Sequence, residues 1–172
     1  MNTNLSQPIK TKDIEKLKAV NYLLVSFPSS NKERFNRIVR RDSFGKVNAN
    51  LEILAKESIP FGINQVITPI NYTDVEETVM YLKERFDIKE FSASPVIPNC
   101  PGADKNYSIG PKKVLELASL LISIEEKTNV KTDMLTFVPP CFFPKEMMHH
   151  RLAAHGCSAG RDSAIISATG EV

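Results

Sequence analysis

Cys157 is the residue whose surroundings least suggest simple packing. It stands in Gly156-Cys157-Ser158-Ala159-Gly160, between glycines and small polar residues and off any hydrophobic stripe. A thiolate placed in this way can ligate a metal or an iron–sulfur cluster. Cys141, after Pro139-Pro140, is open to two readings: a second ligand, or a buried thiol at the end of a strand. Cys100 lies in a proline-rich loop and reads as a free thiol. Three cysteines make no disulfide framework. Cys141, His149, His150, His155 and Cys157 can also be read as a zinc set, although their spacing matches no known knuckle. The other chemistry-bearing residues are Ser26, which ends an apolar run, and the arginines Arg34, Arg37, Arg40 and Arg41 after it. Asn64, Gln65, Thr68, Ser92 and Ser94 are polar interruptions inside strand-like runs. These positions hold no carboxylate pair, no Ser–His–Asp set and no glycine-rich phosphate loop.

The elements that must position these residues alternate. Thr11 or Asp13 can cap a helix carrying Ile14, Leu17 and Val20, which Asn21 ends. Tyr22 to Val25 is too short for a helix and reads as a buried strand, broken at Pro28. Residues 31–42 read as a solvated basic helix or loop. Ser43 caps an amphipathic helix with Phe44, Val47, Leu51 and Leu54 on its stripe. Ile59 to Thr68 is a second strand. Asp74, Glu76 and Glu77 make an acidic first turn for the next helix, suited to its positive end. Glu90 to Ile97 is a third strand. Pro111 opens a long helix to Lys127, and Thr132 to Val138 is a fourth strand. Residues 144–152 can form a short helix.

Four strands alternating with four helices mean parallel strands joined by right-handed crossovers. That pattern allows a doubly wound sheet or a segment of a (β/α) barrel, and in both the ligands gather at the carboxyl ends of the strands. The net charge of +2 over 172 residues calls for neither nucleic acid nor an anionic membrane. No apolar run is long enough to span a bilayer, and the polar N-terminus has no signal-peptide core. The expected location is the cytoplasm.

At four places the residues resemble radical SAM enzymes that carry a SPASM auxiliary-cluster domain. Val25-Ser26, then Arg37-Ile38-Val39-Arg40 and Asp42-Ser43-Phe44-Gly45-Lys46-Val47, resemble that family's fourth strand and its helix. Gly62 to Thr68 with Asn71 resembles the fifth strand, and Glu90 to Pro98 the sixth. Cys157 and Gly170 are spaced like the first cysteine and glycine of the SPASM pattern. The resemblance implies an α/β fold of parallel (β/α) units forming part of a radical SAM partial TIM barrel, followed by the start of a SPASM domain. The implied domains are 1–140 and 141–172.

The same resemblance implies S-adenosylmethionine and [4Fe–4S] clusters as cofactors and a peptide or protein as substrate. Ser26 and Arg40 match S-adenosylmethionine contacts, with Arg37 and Arg41 competing for the arginine position. Asn64 and Ser94 are expected in the barrel lumen with Gln65 and Ser92. Cys157, with Cys141 as a candidate second ligand, would bind an auxiliary cluster. The sequence contains no CxxxCxxC loop, the signature that holds the radical-generating cluster. The expectation is therefore a C-terminal part of such an enzyme, inactive alone and completed by an N-terminal half or a partner subunit. The alternative is a non-catalytic peptide-binding or interaction module on the same fold.

Overall fold

A computed structural model describes residues 1–96, 105–136 and 138–154. Cys100, His155 and Cys157 lie outside them. The chain divides into two compact units, Met1–Thr136 and Phe137–Val172.

The first unit contains β1 (Asn2–Thr3), α1 (Thr11–Lys18), β2 (Leu23–Ser26), α2 (Lys32–Val39), α3 (Phe44–Lys56) and β3 (Phe61–Ile67). After these come α4 (Val75–Phe86), β4 (Glu90–Pro95), α5 (Gly110–Thr128) and β5 (Lys131–Asp133). All five strands are parallel, and their order in the sheet is their order in the chain. A doubly wound sheet reverses its strand order at a switch point. This sheet never reverses, so of the two architectures the alternation allows it is the barrel segment.

Right-handed crossovers in one direction put every helix on the same face. The alternation of side chains along the strands then separates a dry face from an open one. Leu23, Val25, Ile63, Ile67, Phe91 and Ala93 are fully buried on the helix side, against Leu51 and Leu54 of α3, Val79 and Leu82 of α4, and Leu117 and Leu121 of α5. Each such leucine or phenylalanine contributes about 2 kcal/mol by leaving water. Ser26 and Val66 point the other way and are exposed.

This alternation corrects one expectation. Asn64 and Gln65 are neighbours in β3 and cannot both face the lumen. Gln65 is fully buried on the helix side, where its Nε2 donates to the Pro28 carbonyl at 2.8 Å. Two boundaries also move. β1, in a stretch read as loop, adds a fifth strand. β5 stops at Asp133, well before Val138, because Asp133 Oδ1 accepts the Met134 N–H at 2.7 Å and turns the chain out of the sheet.

In the second unit the described residues form 3₁₀ turns at Pro140–Phe142 and Lys145–Met147 and one turn of helix, α6 (Arg151–Ala154). Cys141 is an exposed free thiol within the first of these turns. It is not the buried strand-end thiol that the sequence allowed, since the strand has ended eight residues earlier.

Candidate functional site at the carboxyl ends of the strands

Register places polar residues in one row across the open face. Ser26 pairs with Asn64, Asn64 with Ser92, and Ser92 with Asp133. One step further along, Ser94 pairs with Val66, and its hydroxyl donates to Asn64 Oδ1 at 2.7 Å. Asn64 and Ser94 therefore form one hydrogen-bonded unit on the same face as Ser26.

Ser26 also borders a cavity of about 320 Å³ whose other polar walls are Asn4, Ser6, Arg40, Arg41 and Ser43, with Phe35, Val39 and Val47 behind them. The two expected cofactor contacts, Ser26 and Arg40, thus face one space. Arg41 lines it too, so both competing arginines at the corner reach the cavity. Arg37 does not line it.

Three local devices hold these walls. The first is the corner between α2 and α3. Arg40 has a left-handed backbone (φ 54°), which reverses the chain sharply. Asn36 then clamps the turn: its Oδ1 accepts from the Ser43 and Phe44 N–H groups at 3.0 and 3.1 Å, and its Nδ2 donates to Asp42 at 2.8 Å. The second is the loop after β1. Asn50 of α3 donates to the Leu5 and Gln7 carbonyls (2.7 and 2.8 Å) and accepts from the Ile9 N–H (3.2 Å), which fixes Asn4 and Ser6 on the wall.

The third device is the loop after β2. Its Pro28 carbonyl accepts from both Gln65 and Asn71 at 2.8 Å. Beyond it, the Ser29 hydroxyl donates to Asp74 Oδ2 at 2.6 Å, and Arg34 pairs with Asp74 Oδ1 at 2.7 Å. The Asp74 side chain is fully buried, so this charge is neutralised by Arg34 and satisfied by the serine. Asn36 and Asn50 escaped the sequence reading, which took Asn71 only as part of the fifth-strand resemblance and Asp74 only as a helix-start carboxylate, not as loop anchors. Their partners lie up to 45 residues away, and no local pattern announces them.

At the opposite, amino end of the strands the open face is bridged. The Tyr22 hydroxyl donates to Glu90 Oε2 at 2.6 Å, and Lys131 lies 3.5 Å from Glu90 Oε1. Burial first, and the Glu90 carboxylate second, push the Tyr22 phenol well above its ordinary range. A cavity of about 690 Å³ lies at this end beside Tyr22, Pro60, Phe61 and Glu90. In barrels that end carries stability, and chemistry sits at the carboxyl ends, so the cavity beside Ser26 is the candidate site.

Among the described residues no three Cys, His, Asp or Glu side chains converge as metal ligands, and Cys141 is the one cysteine. The other expected ligands, His155 and Cys157, lie outside the described residues. The cavity does fit a small zwitterionic ligand with hydroxyls, since it offers guanidinium groups, serine hydroxyls and an apolar back wall.

Five parallel strands in sequential order, helices on one face and polar side chains at the carboxyl ends of the other, make up an α/β partial barrel. Comparison with solved structures bears this out. The chain is similar to SuiB of Streptococcus suis, with a TM-score of 0.60 at 16% identity over 80% of this chain and 32% of that one. It is similar to anSMEcpe with bound AdoMet, with a TM-score of 0.62 at 22% identity over 77% and 38%. It is also similar to anSMEcpe with bound AdoMet and Kp18Cys peptide, at 0.60 and 23% over 76% and 39%. The chain thus spans a third to two fifths of the length of these structures, and the likeness is one of fold. No protein-family model matches the chain, and no curated protein does. No helix of the described residues is long and apolar enough to cross a membrane.

Proposed function

We propose that this chain is the S-adenosylmethionine-binding and peptide-binding part of a radical SAM enzyme of the SPASM type, acting on a peptide or protein substrate. The observation that carries the reading is the meeting of Ser26 and Arg40 at one cavity on the carboxyl side of a partial barrel. The solved relatives support it: anSMEcpe has been seen with AdoMet and a peptide, and SuiB with S-adenosylmethionine and with its precursor peptide SuiA. In this reading residues 1–140 are the later part of the barrel, 141–172 begin the SPASM domain with Cys157 and Cys141 as cluster ligands, and the location is cytoplasmic.

Arg40 holds the cofactor's carboxylate by charge-assisted hydrogen bonds. Ser26 donates to, or accepts from, a ribose or amino group. The Asn64–Ser94 pair presents fixed polar groups on the lumen side, and Phe35, Val39 and Val47 exclude water from the back. Bound here, S-adenosylmethionine would supply radical chemistry for hydrogen abstraction from a peptide. The sequence has no CxxxCxxC loop to hold the reducing cluster that chemistry would need, so the chain alone is proposed to bind the cofactor and leave it intact.

Equilibrium dialysis of the full chain with S-adenosylmethionine tests the reading. Binding is expected, weakened about fivefold by Ser26→Ala and tenfold or more by Arg40→Gln, on the order of one neutral and one charged hydrogen bond. Undetectable binding, or binding indifferent to both substitutions, sinks it. Cleavage of the cofactor by the anaerobically reconstituted chain would overturn the claim that it is inactive alone.

A further inference from the structure

The two cavity arginines stand on a corner that owes its shape to one side chain outside the cavity. Arg40 ends α2 with a left-handed backbone (φ 54°), a conformation that a residue with a Cβ resists. Without a restraint Arg40 would continue the right-handed helix, and its side chain would swing round the helix axis. Asn36 supplies the restraint. Its backbone carbonyl accepts the Arg40 N–H and also the Arg41 N–H, the latter at 3.1 Å. Its side chain reaches past them to the far side of the corner and bonds Asp42, Ser43 and Phe44. One residue thus holds the corner from both ends.

Asn36 is itself well anchored. Phe35 beside it is 1% exposed and packs edge-on against Phe27 and Phe44, with ring centroids 5.2 and 5.4 Å apart. Asn36 does not line the cavity. Arg40 and Arg41 do, and among the described residues neither forms an ion pair, so the course of the backbone is what directs them. Ser43 stands at the N-cap of α3 and makes no cap bond of its own. A cap serine ordinarily satisfies an early helix amide. Here Asn36 takes that task from the preceding helix, accepting the Phe44 N–H at the start of α3.

The chemistry asked of this side chain is specific. Its oxygen must accept two N–H groups while its other end donates to a carboxylate. An amide of this length does both, and an aspartate does not. Asn36→Asp would still accept the two N–H groups, but it would set a second carboxylate against Asp42 and repel it. Adding Asp42→Asn exchanges donor for acceptor and restores the bond with the chain's charge unchanged. The corner can therefore be broken and remade without touching a residue that lines the cavity.

We propose that Asn36 is the positioning residue of the candidate cofactor site: by holding the corner between α2 and α3 it aims Arg40 into the cavity beside Ser26, and so sets the affinity for the carboxylate end of S-adenosylmethionine without touching the ligand. This inference deepens the proposed function and rests on it. It assigns Asn36 an effect on one end of the ligand only. The nucleoside end, which Arg40 does not hold, is indifferent to residue 36.

Equilibrium dialysis of the full chain with two ligands tests it: S-adenosylmethionine, and 5′-methylthioadenosine, which keeps the nucleoside and the thioether but has no amino-acid end. Asn36→Ala is expected to weaken S-adenosylmethionine about fivefold and 5′-methylthioadenosine by less than about twofold. A residue that merely supported the fold would weaken both alike. Added to Arg40→Gln, Asn36→Ala should cost less than about twofold more, because the arginine it aims is already gone. Asn36→Asp should weaken S-adenosylmethionine as Asn36→Ala does, and Asn36→Asp with Asp42→Asn should restore it to within about twofold. Should Asn36→Ala fail to fold, the aspartate variant and its paired swap carry the test. Should 5′-methylthioadenosine bind too weakly to follow, the cycle with Arg40→Gln decides. Equal losses for both ligands, additivity with Arg40→Gln, or a paired swap no better than Asn36→Asp would each overturn the proposal, as would S-adenosylmethionine binding unchanged in the single variants. These results leave the proposed function standing so long as Ser26→Ala and Arg40→Gln still weaken S-adenosylmethionine. A wild-type chain that binds neither ligand sinks the proposed function and this inference with it.

Discussion

A Cβ at position 62 would stand 1.9 Å from the Tyr22 hydroxyl. Gly62 is therefore what lets Tyr22 reach across β3 to Glu90. Gly62→Ala must push the ring aside and break that hydrogen bond, at a cost of about 2 kcal/mol, read as a lower urea midpoint. In a Tyr22→Ala background the same change costs less than half as much, because the clash is gone. The two phenols hydrogen-bonded to carboxylates, Tyr22 and Tyr72, predict an alkaline transition. Burial and the acceptor Glu116 raise Tyr72 to about 12, and burial and Glu90 raise Tyr22 further. Both folded values exceed the unfolded one, so their contribution is complete below pH 10 and is lost as pH rises through 12 and beyond. Absorbance at 295 nm should show two late-ionising tyrosines, and one fewer in Tyr22→Phe. Gly62 was read in the sequence only as part of a strand, since the tyrosine it accommodates belongs to another one.

At the scale of elements, the loops after β1 and β2 are held by buried polar side chains from helices and turns distant in sequence. Asp74→Ala removes the carboxylate that the Ser29 hydroxyl and Arg34 both reach. It is expected to cost about 2 kcal/mol, tempered because Arg34 is half exposed and stays solvated. S-adenosylmethionine affinity should fall with it, as the loop carrying Ser26 into α2 loses its anchor. Unchanged calorimetric melting would refute the first part and unchanged dialysis the second. The helices were legible because each carries a full apolar stripe: Phe44 to Leu54 gave α3 within two residues, and Pro111 marked the start of α5. The short elements were not. β1 is two residues with no pattern to read, and β5 ends on a side-chain-to-backbone bond that hydrophobicity does not encode. Gln65 was misassigned by composition when strand periodicity alone would have turned it away from Asn64. Ser26 and Arg40 were singled out through their likeness to a family motif, and both line one cavity. Ser43 was read as a cap and does stand at the N-cap of α3, but its side chain makes no cap bond, which only three dimensions reveal.

At the scale of the whole molecule, the sheet has two outer strands, β1 and β5, of two and three residues. Short edges limit strand-to-strand pairing, yet the polar face of the sheet lies open beside them, with Val66 42% exposed on it. A barrel segment with an uncovered inner face is expected to self-associate or to take up a partner. Sedimentation velocity of the full chain should show mass rising with concentration, and Val66→Lys should shift the distribution toward monomer. A monomer at every concentration, melting in one sharp step, would argue that the open face needs no cover.

The Tyr22–Glu90 bridge, with Lys131 beside it, ties the starts of the strands together across β3. It acts as a strut at the end away from Ser26 and Asn64. Loosening it should therefore cost the sheet rigidity before it touches the candidate site. Hydrogen exchange in Tyr22→Phe is expected to quicken first in β3 and β4, with the corner between α2 and α3 unchanged.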